Sequence, residues 1–250
     1  MTHFSWLDYT VFGTYLAASV SIGLWSARGQ KSLGDYFLAG RGMGSVLVAM
    51  SILAALFSGI SYLAGPADVY KNGFAFGYAV LAFFIATPFT IIWMLPKFYQ
   101  SRYFTAYQFL EERFSLSVRL LASGLFIFRV SLWLAAATYA PALALEKVTG
   151  LPLWITILAS GTLTTLYTAL GGMRAVIWTD VMQLIVLFGG QFMIVLVALG
   201  KIPDGLAGVW HTAVADGRMD LSFNFSLSER INIWSVLFAA GFLHLVQMST

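Results

Sequence analysis

Polar and charged side chains interrupt the apolar stretches of this 250-residue chain at a few places, and the chemistry open to them differs from place to place. Asp180 follows Thr179 in AVIWTDVMQLIVLF, a run otherwise suited to hydrocarbon. An acid in that setting is expensive and is kept either for an ion or proton route or as a helix N-terminal charge complementing the macrodipole. Thr179 is the alternative cap, and both roles are compatible. Arg129, in LFIFRVSLW, either faces protein or a water-filled cavity or reaches an interface by snorkelling. Ser51, Ala54, Ala55, Ser58, Gly59, Ser61 and Gly65 crowd one apolar run just before Pro66. Such a run either unwinds near its middle or lets neighbouring helices approach closely. His244 and Gln247 are three apart, with Ser249 and Thr250 beyond, so they share a helical face as interhelical hydrogen-bond donors or as contacts for a small molecule.

The elements that position these residues follow from composition. The chain is 59% hydrophobic, 16% aromatic and 10% charged, with a mean hydropathy of +0.81. A soluble chain carries about a quarter charged residues. Apolar runs here repeatedly approach the roughly 20 residues needed to cross a bilayer, and in lipid their backbone groups are satisfied only as helices. The chain therefore reads as an all-α, multi-pass membrane protein in contact with a lipid bilayer. With no cysteine there is no disulfide framework, thiol nucleophile or thiolate metal site. The net charge of +3 comes from residues lying mainly between apolar runs, with no basic stripe interleaved with aromatics, so no nucleic-acid partner is expected. The absence of GxSxG, HExxH or a phosphate-binding glycine loop argues against an enzyme, and Gly171–Gly172 reads as a helix-ending turn.

Seven apolar segments mark a single transmembrane domain: about 6–25, 44–63, 74–95, 116–145, 153–170, 175–199 and 231–250. The first lacks a basic flank and a small-residue cleavage site, so it is expected to stay as a span. Arg28, Lys31 and Arg41 follow the first segment and Lys97, Arg102, Arg113 and Arg119 the third, whereas the opposite side holds only Lys71 and Lys147 in its short loops. The positive-inside rule puts the first set in the cytoplasm and the N-terminus outside. The polar stretch from Lys201 to Arg230 then also lies outside.

SLGDYFLAGRGMG (32–44), AMSILAALFSGISYLAGPADVYKNG (49–73), TAYQFLEERF (105–114) and GGMRAVIWTDVMQ (171–183) resemble, in the same order, motifs of the sodium/solute symporter family, closest to its monocarboxylate, iodide and multivitamin branch. The resemblance implies a LeuT-type fold of inverted repeats, with sites at the bilayer midplane where helices are broken. It covers an extra first helix, a complete first repeat and the first helix of the second, an incomplete domain. The implied activity is symport of a small solute with Na+ across the plasma membrane, with no cofactor beyond the coupling ion. The implied sodium positions are Ala54 and Phe57, through carbonyls of the unwound stretch, and Asp180; no other metal is implied. Substrate positions map to Leu56, Ser61, Phe83, His244 and Gln247. Leu56 stands where sugar and proline carriers often have a polar or acidic residue, and GPADVYKNG is nearer to carriers of small anions, so a small organic anion such as a monocarboxylate is expected. The family's hydroxyl ligands for sodium come from a helix past segment seven, so residues 1–250 alone are not expected to transport.

A different reading is a symporter-like sensor input joined to a signalling module, which the sequence after Thr250 would distinguish. A retinal protein would need a lysine in its last helix, and 231–250 has none.

Overall fold

The computed structural model describes residues 4–73, 86–101 and 105–219, and beyond these Phe84, Ser226, Trp234, Phe238, Gly241 and Phe242. Every regular element among the described residues is helical. Phe83, His244 and Gln247, with half of the third apolar segment and most of the seventh, fall outside them.

Helix α1 (Trp6–Ala27) opens with a capping box: the Ser5 N–H donates to Asp8 Oδ2 at 2.8 Å, and Ser5 Oγ accepts from the Asp8 N–H at 3.4 Å. Its 22 residues extend about 33 Å, enough for the hydrocarbon core. The buried residues Ser19, Gly23 and Ser26 are spaced so as to share a face. Gly23 is required there, because a Cβ on it would stand 2.7 Å from Tyr167 Cβ.

A short helix α2 (Leu33–Leu38) follows, capped by Ser32, whose Oγ accepts from the Asp35 N–H at 3.1 Å. The Lys31 N–H donates to the Asp35 carboxylate at 3.0 Å and, with Ser32, holds that carboxyl below its ordinary range. A left-handed residue, Ala39, ends α2, and the chain turns by 107° between 33–41 and α3 (Ser45–Leu56).

Helix α3 stops at Phe57, whose φ −98 and ψ 121 are extended, and α4 (Gly59–Asn72) begins two residues later. The stop leaves the last carbonyls of α3 without intrahelical donors. One of them, Ala54 O, accepts from the Phe57 N–H at 3.1 Å. Ser58 starts the next helix: its Oγ accepts from the Ser61 N–H at 3.3 Å. The run of small polar residues therefore coincides with a break.

A π-turn (Thr90–Met94) leads into α5 (Leu95–Ser101). Pro96 explains its position, since it lacks the N–H that would bond the Ile92 carbonyl. Helix α6 (Ala106–Arg113) is tied to the start of α7 (Leu116–Thr149) by an ion pair between Glu111 and Arg119, an exposed contact worth at most about 1 kcal/mol. Thr156 Oγ1 donates to Ala142 O at 3.2 Å, joining α7 to the start of α8 (Leu153–Lys201).

At 49 residues α8 has more than twice the roughly 20 needed to cross a hydrocarbon core. Gly172, at φ 58 and ψ −158, divides it. That backbone region is open to glycine almost alone. Helix α9 (Gly205–Ala215) completes the described elements.

The chain divides into two compact units, Met1–Tyr62 with Phe126–Val195, and Leu63–Leu125 with Leu196–Thr250. The first unit carries α1, α2, α3 and the break in α8, and with them the candidate site.

Candidate functional site: a carboxylate beside a broken helix

Asp180 lies in α8 two turns past Gly172, half-buried, and its Oδ2 accepts a 2.6 Å hydrogen bond from Ser51 Oγ of α3. Thr179, next to it, is 1% exposed and donates to the carbonyls of Ala175 and Val176 at 2.9 and 3.0 Å. That bonding is internal to the helix, so Thr179 does not cap it, and the Asp180 side chain reaches across to another helix.

Ser51 and Ala54 are three apart on α3 and both buried, so they share the face turned towards α8. The Ala54 carbonyl therefore stands about one turn along α3 from the Ser51–Asp180 bond. Phe57, at the break, is 46% exposed and meets Phe188 of α8 edge to face at 5.6 Å. From α1, Tyr15 comes within electrostatic range of Asp180 and Tyr167 and beside Gln183. Tyr15 and Gln183 are absent from the candidates taken from the sequence, and Ser51 stands there only as one of a run of small residues. The signal for each was a polar atom in an apolar run, weak until folding gathers them around one acid.

Two side chains set the kink that aims Asp180 this way. Gln30 Nε2 donates to Gly171 O at 2.5 Å, and the Tyr36 hydroxyl donates to Ala169 O at 2.9 Å. Both satisfy carbonyls freed by the break at Gly172. A Cβ at Gly172 would also stand 2.7 Å from Tyr36 O. The segments DYFLAGR and GGMR are thus structural partners.

Among the substrate positions taken from the sequence, Leu56 is half-buried at the end of α3 and Ser61 is exposed in the first turn of α4, its hydroxyl 3.3 Å from Ser58 Oγ. Phe83, His244 and Gln247 lie outside the described residues. Arg129 is exposed on α7, its guanidinium 5.8 Å from the Phe126 ring centroid. A groove of about 720 Å³ runs along α7 and the first half of α8, lined by residues such as Thr138, Thr162 and Leu166, and none of the described candidate residues lines it.

The oxygens gathered here suit a small hard cation: a carboxylate with one oxygen engaged by a serine hydroxyl, and α3 carbonyls released by a helix stop. Among the described residues no group of three or more His, Cys, Asp or Glu is placed to hold a metal ion.

Residues 36–219 match the family model described as sodium:solute symporter family. Over 246 residues the chain is 36% identical to the sodium-dependent multivitamin transporter of Oryctolagus cuniculus, covering 97% of this chain and 38% of that protein. It is 35% identical to human sodium-coupled monocarboxylate transporter 1, covering 94% of this chain and 39% of the relative. The human sodium/iodide cotransporter is 36% identical over 91% of this chain and 36% of its own length. These relatives are transporters, a non-enzymatic class. Among solved structures, the substrate-bound outward-open state of a Na+-coupled sialic acid symporter superposes with a TM-score of 0.87 at 28% identity, over 98% of this chain and 52% of that one. The chain has that all-α, LeuT-type membrane fold, spanning about half the neighbour's length and less than two-fifths of the relatives'.

Proposed function

The chain belongs to the sodium:solute symporter family, and from that premise we propose that it forms the N-terminal part of a sodium-coupled symporter that carries a small organic anion, such as a monocarboxylate, across the plasma membrane. One observation carries the reading: α3 ends at Phe57 with freed carbonyls, and about a turn away Ser51 holds the Asp180 carboxylate at 2.6 Å.

Sodium is a transported ion here. The Ala54 carbonyl has one lone pair engaged by the Phe57 N–H and one left for an ion; the Phe57 carbonyl lies in the interruption itself. Asp180 supplies the negative charge that draws a cation into a low-dielectric layer, where it is felt more strongly than in water. Ser51 orients the carboxylate by engaging one oxygen. Inward movement of each positive charge gains about 2.3 kcal/mol per 100 mV of membrane potential.

The solute binds at Leu56 and Ser61, next to the break, and at Phe83, His244 and Gln247, the further positions that the family resemblance implies. Leu56 gives an apolar wall where a sugar would need a hydrogen-bond partner, which supports an anion with a short carbon skeleton. Sodium stabilises the outward-open arrangement and raises solute affinity; by linkage the solute raises sodium affinity by the same factor. Rocking of one repeat against the other then releases both inside.

The test is Asp180→Ala in the full-length protein, reconstituted and compared with wild type for the dependence of uptake on sodium concentration. Loss of sodium stimulation with the fold intact is the expected outcome. Unchanged sodium dependence would return Asp180 to a purely structural role.

A further inference from the structure

Helices α1 and α8 meet at one edge of the membrane layer. Counted from Trp6, the 22 residues of α1 use up the hydrocarbon thickness by Ala27. The break at Gly172 sits beside that end, where a Cβ on Gly171 would lie 2.8 Å from Gly23 O. Trp25 and Arg174 therefore stand near the interface, with Trp178 about one turn further along α8 than Arg174. There they form a stack: the Arg174 guanidinium is 4.4 Å from the Trp25 ring centroid, and Trp25 meets Trp178 edge to face at 6.4 Å. Trp25 is 50% exposed. A guanidinium carries five N–H donors, more than a contact with one ring uses, in a fork that matches two phosphate oxygens. No carboxylate pairs with Arg174 among the described residues.

The linker around it adds to the same chemistry. Arg28, Lys31 and Arg41 are exposed there. The carboxylate of this linker, Asp35, already accepts from the Lys31 N–H, and the Asp35 N–H donates to Ser32 Oγ. Leu33 and Phe37, 72% and 52% exposed, stand one turn apart on α2 and present an apolar face beside the basic residues. An apolar face flanked by cations, next to half-exposed tryptophan at the end of a span, suits a lipid headgroup region better than a soluble partner.

We propose that Arg174, held over the Trp25 ring, together with Arg28 and Lys31, binds the phosphodiester of an anionic phospholipid in the leaflet at this end of α1. The acyl chains run along α1 and the headgroup lies over the linker.

The experiment is native mass spectrometry of the full-length protein equilibrated with phosphatidylglycerol and phosphatidylcholine. Wild type is expected to retain phosphatidylglycerol in preference to phosphatidylcholine. Arg174→Gln should lower that retention about five-fold, the effect of removing one interfacial cation; Arg174→Lys should fall in between. The double variant Arg28→Gln/Lys31→Gln should lower it as well while leaving the stack on Trp25 untouched, so it decides the matter alone if Arg174→Gln does not fold. Equal retention of both lipids by wild type, or unchanged retention in the variants, would overturn the proposal. Displacement of the lipid by sn-glycerol 3-phosphate would also overturn it, since a free phosphate would then account for the site.

Discussion

Ser51 and Asp180 are 129 residues apart in the chain and share a 2.6 Å hydrogen bond inside an apolar helical layer. A hydroxyl donating to a carboxylate is among the stronger hydrogen bonds, contributing about 1.5–3 kcal/mol. Ser51→Ala should destabilise the full-length protein by an amount in that range, read as a lower thermal midpoint, and weaken the apparent affinity for sodium. A shift in stability with sodium affinity unchanged would separate Ser51 from the ion. Asp180 was legible as an isolated acid in AVIWTDVMQ. Ser51 was not, because several small polar residues in the same run look alike and only the packing of α3 on α8 selects one. Gly172 makes a second test. Its φ of 58 and ψ of −158, and the Tyr36 carbonyl against it, leave no room for a side chain. Gly172→Ala should lose about 1–3 kcal/mol from backbone strain alone, visible as a drop in thermal midpoint larger than that of Gly124→Ala, where the added Cβ meets open space.

The elements that matter most are interrupted helices, and each interruption has a local cause. Helix α3 gives way to α4 where Ser58 can cap the new helix and small residues offer little packing to hold the old one. Ser58→Ala should cost about 1 kcal/mol as a lost N-cap and, by loosening the start of α4, should reduce solute affinity more than maximal uptake rate, measured as a KM effect in proteoliposomes. The interruption was open in the sequence, where the same small residues read equally well as a close-packing face; backbone geometry decides for a break. In α8, Gly171–Gly172 marked a helix end, and the structure adds that the helix resumes at once, with Gln30 and Tyr36 serving the freed carbonyls. Those contacts join residues more than 130 positions apart, beyond the reach of any local pattern. The π-turn before α5 also escaped the sequence reading, since its cause, Pro96, looks from sequence alone like a residue near a helix end.

At the scale of the whole molecule, composition and hydropathy carried the membrane assignment, because a chain with 10% charged residues has too little polar surface for water. Orientation rests on where the basic residues lie. These 250 residues contain no cysteine, so once any cysteine elsewhere in the full-length protein is replaced, a single introduced cysteine reports it directly. Lys31→Cys should react with an impermeant maleimide only after cells are opened, and Asp204→Cys should react on intact cells; the reverse pattern would place the N-terminus in the cytoplasm. The central claim is coupling. The direct measurement is uptake by the full-length protein in proteoliposomes, across a panel of labelled carboxylates, sugars and amino acids, with an inward sodium gradient imposed or withheld. Accumulation of a small carboxylate that needs the gradient and increases with an inside-negative potential is the predicted result, and uptake that proceeds equally well without sodium would contradict it.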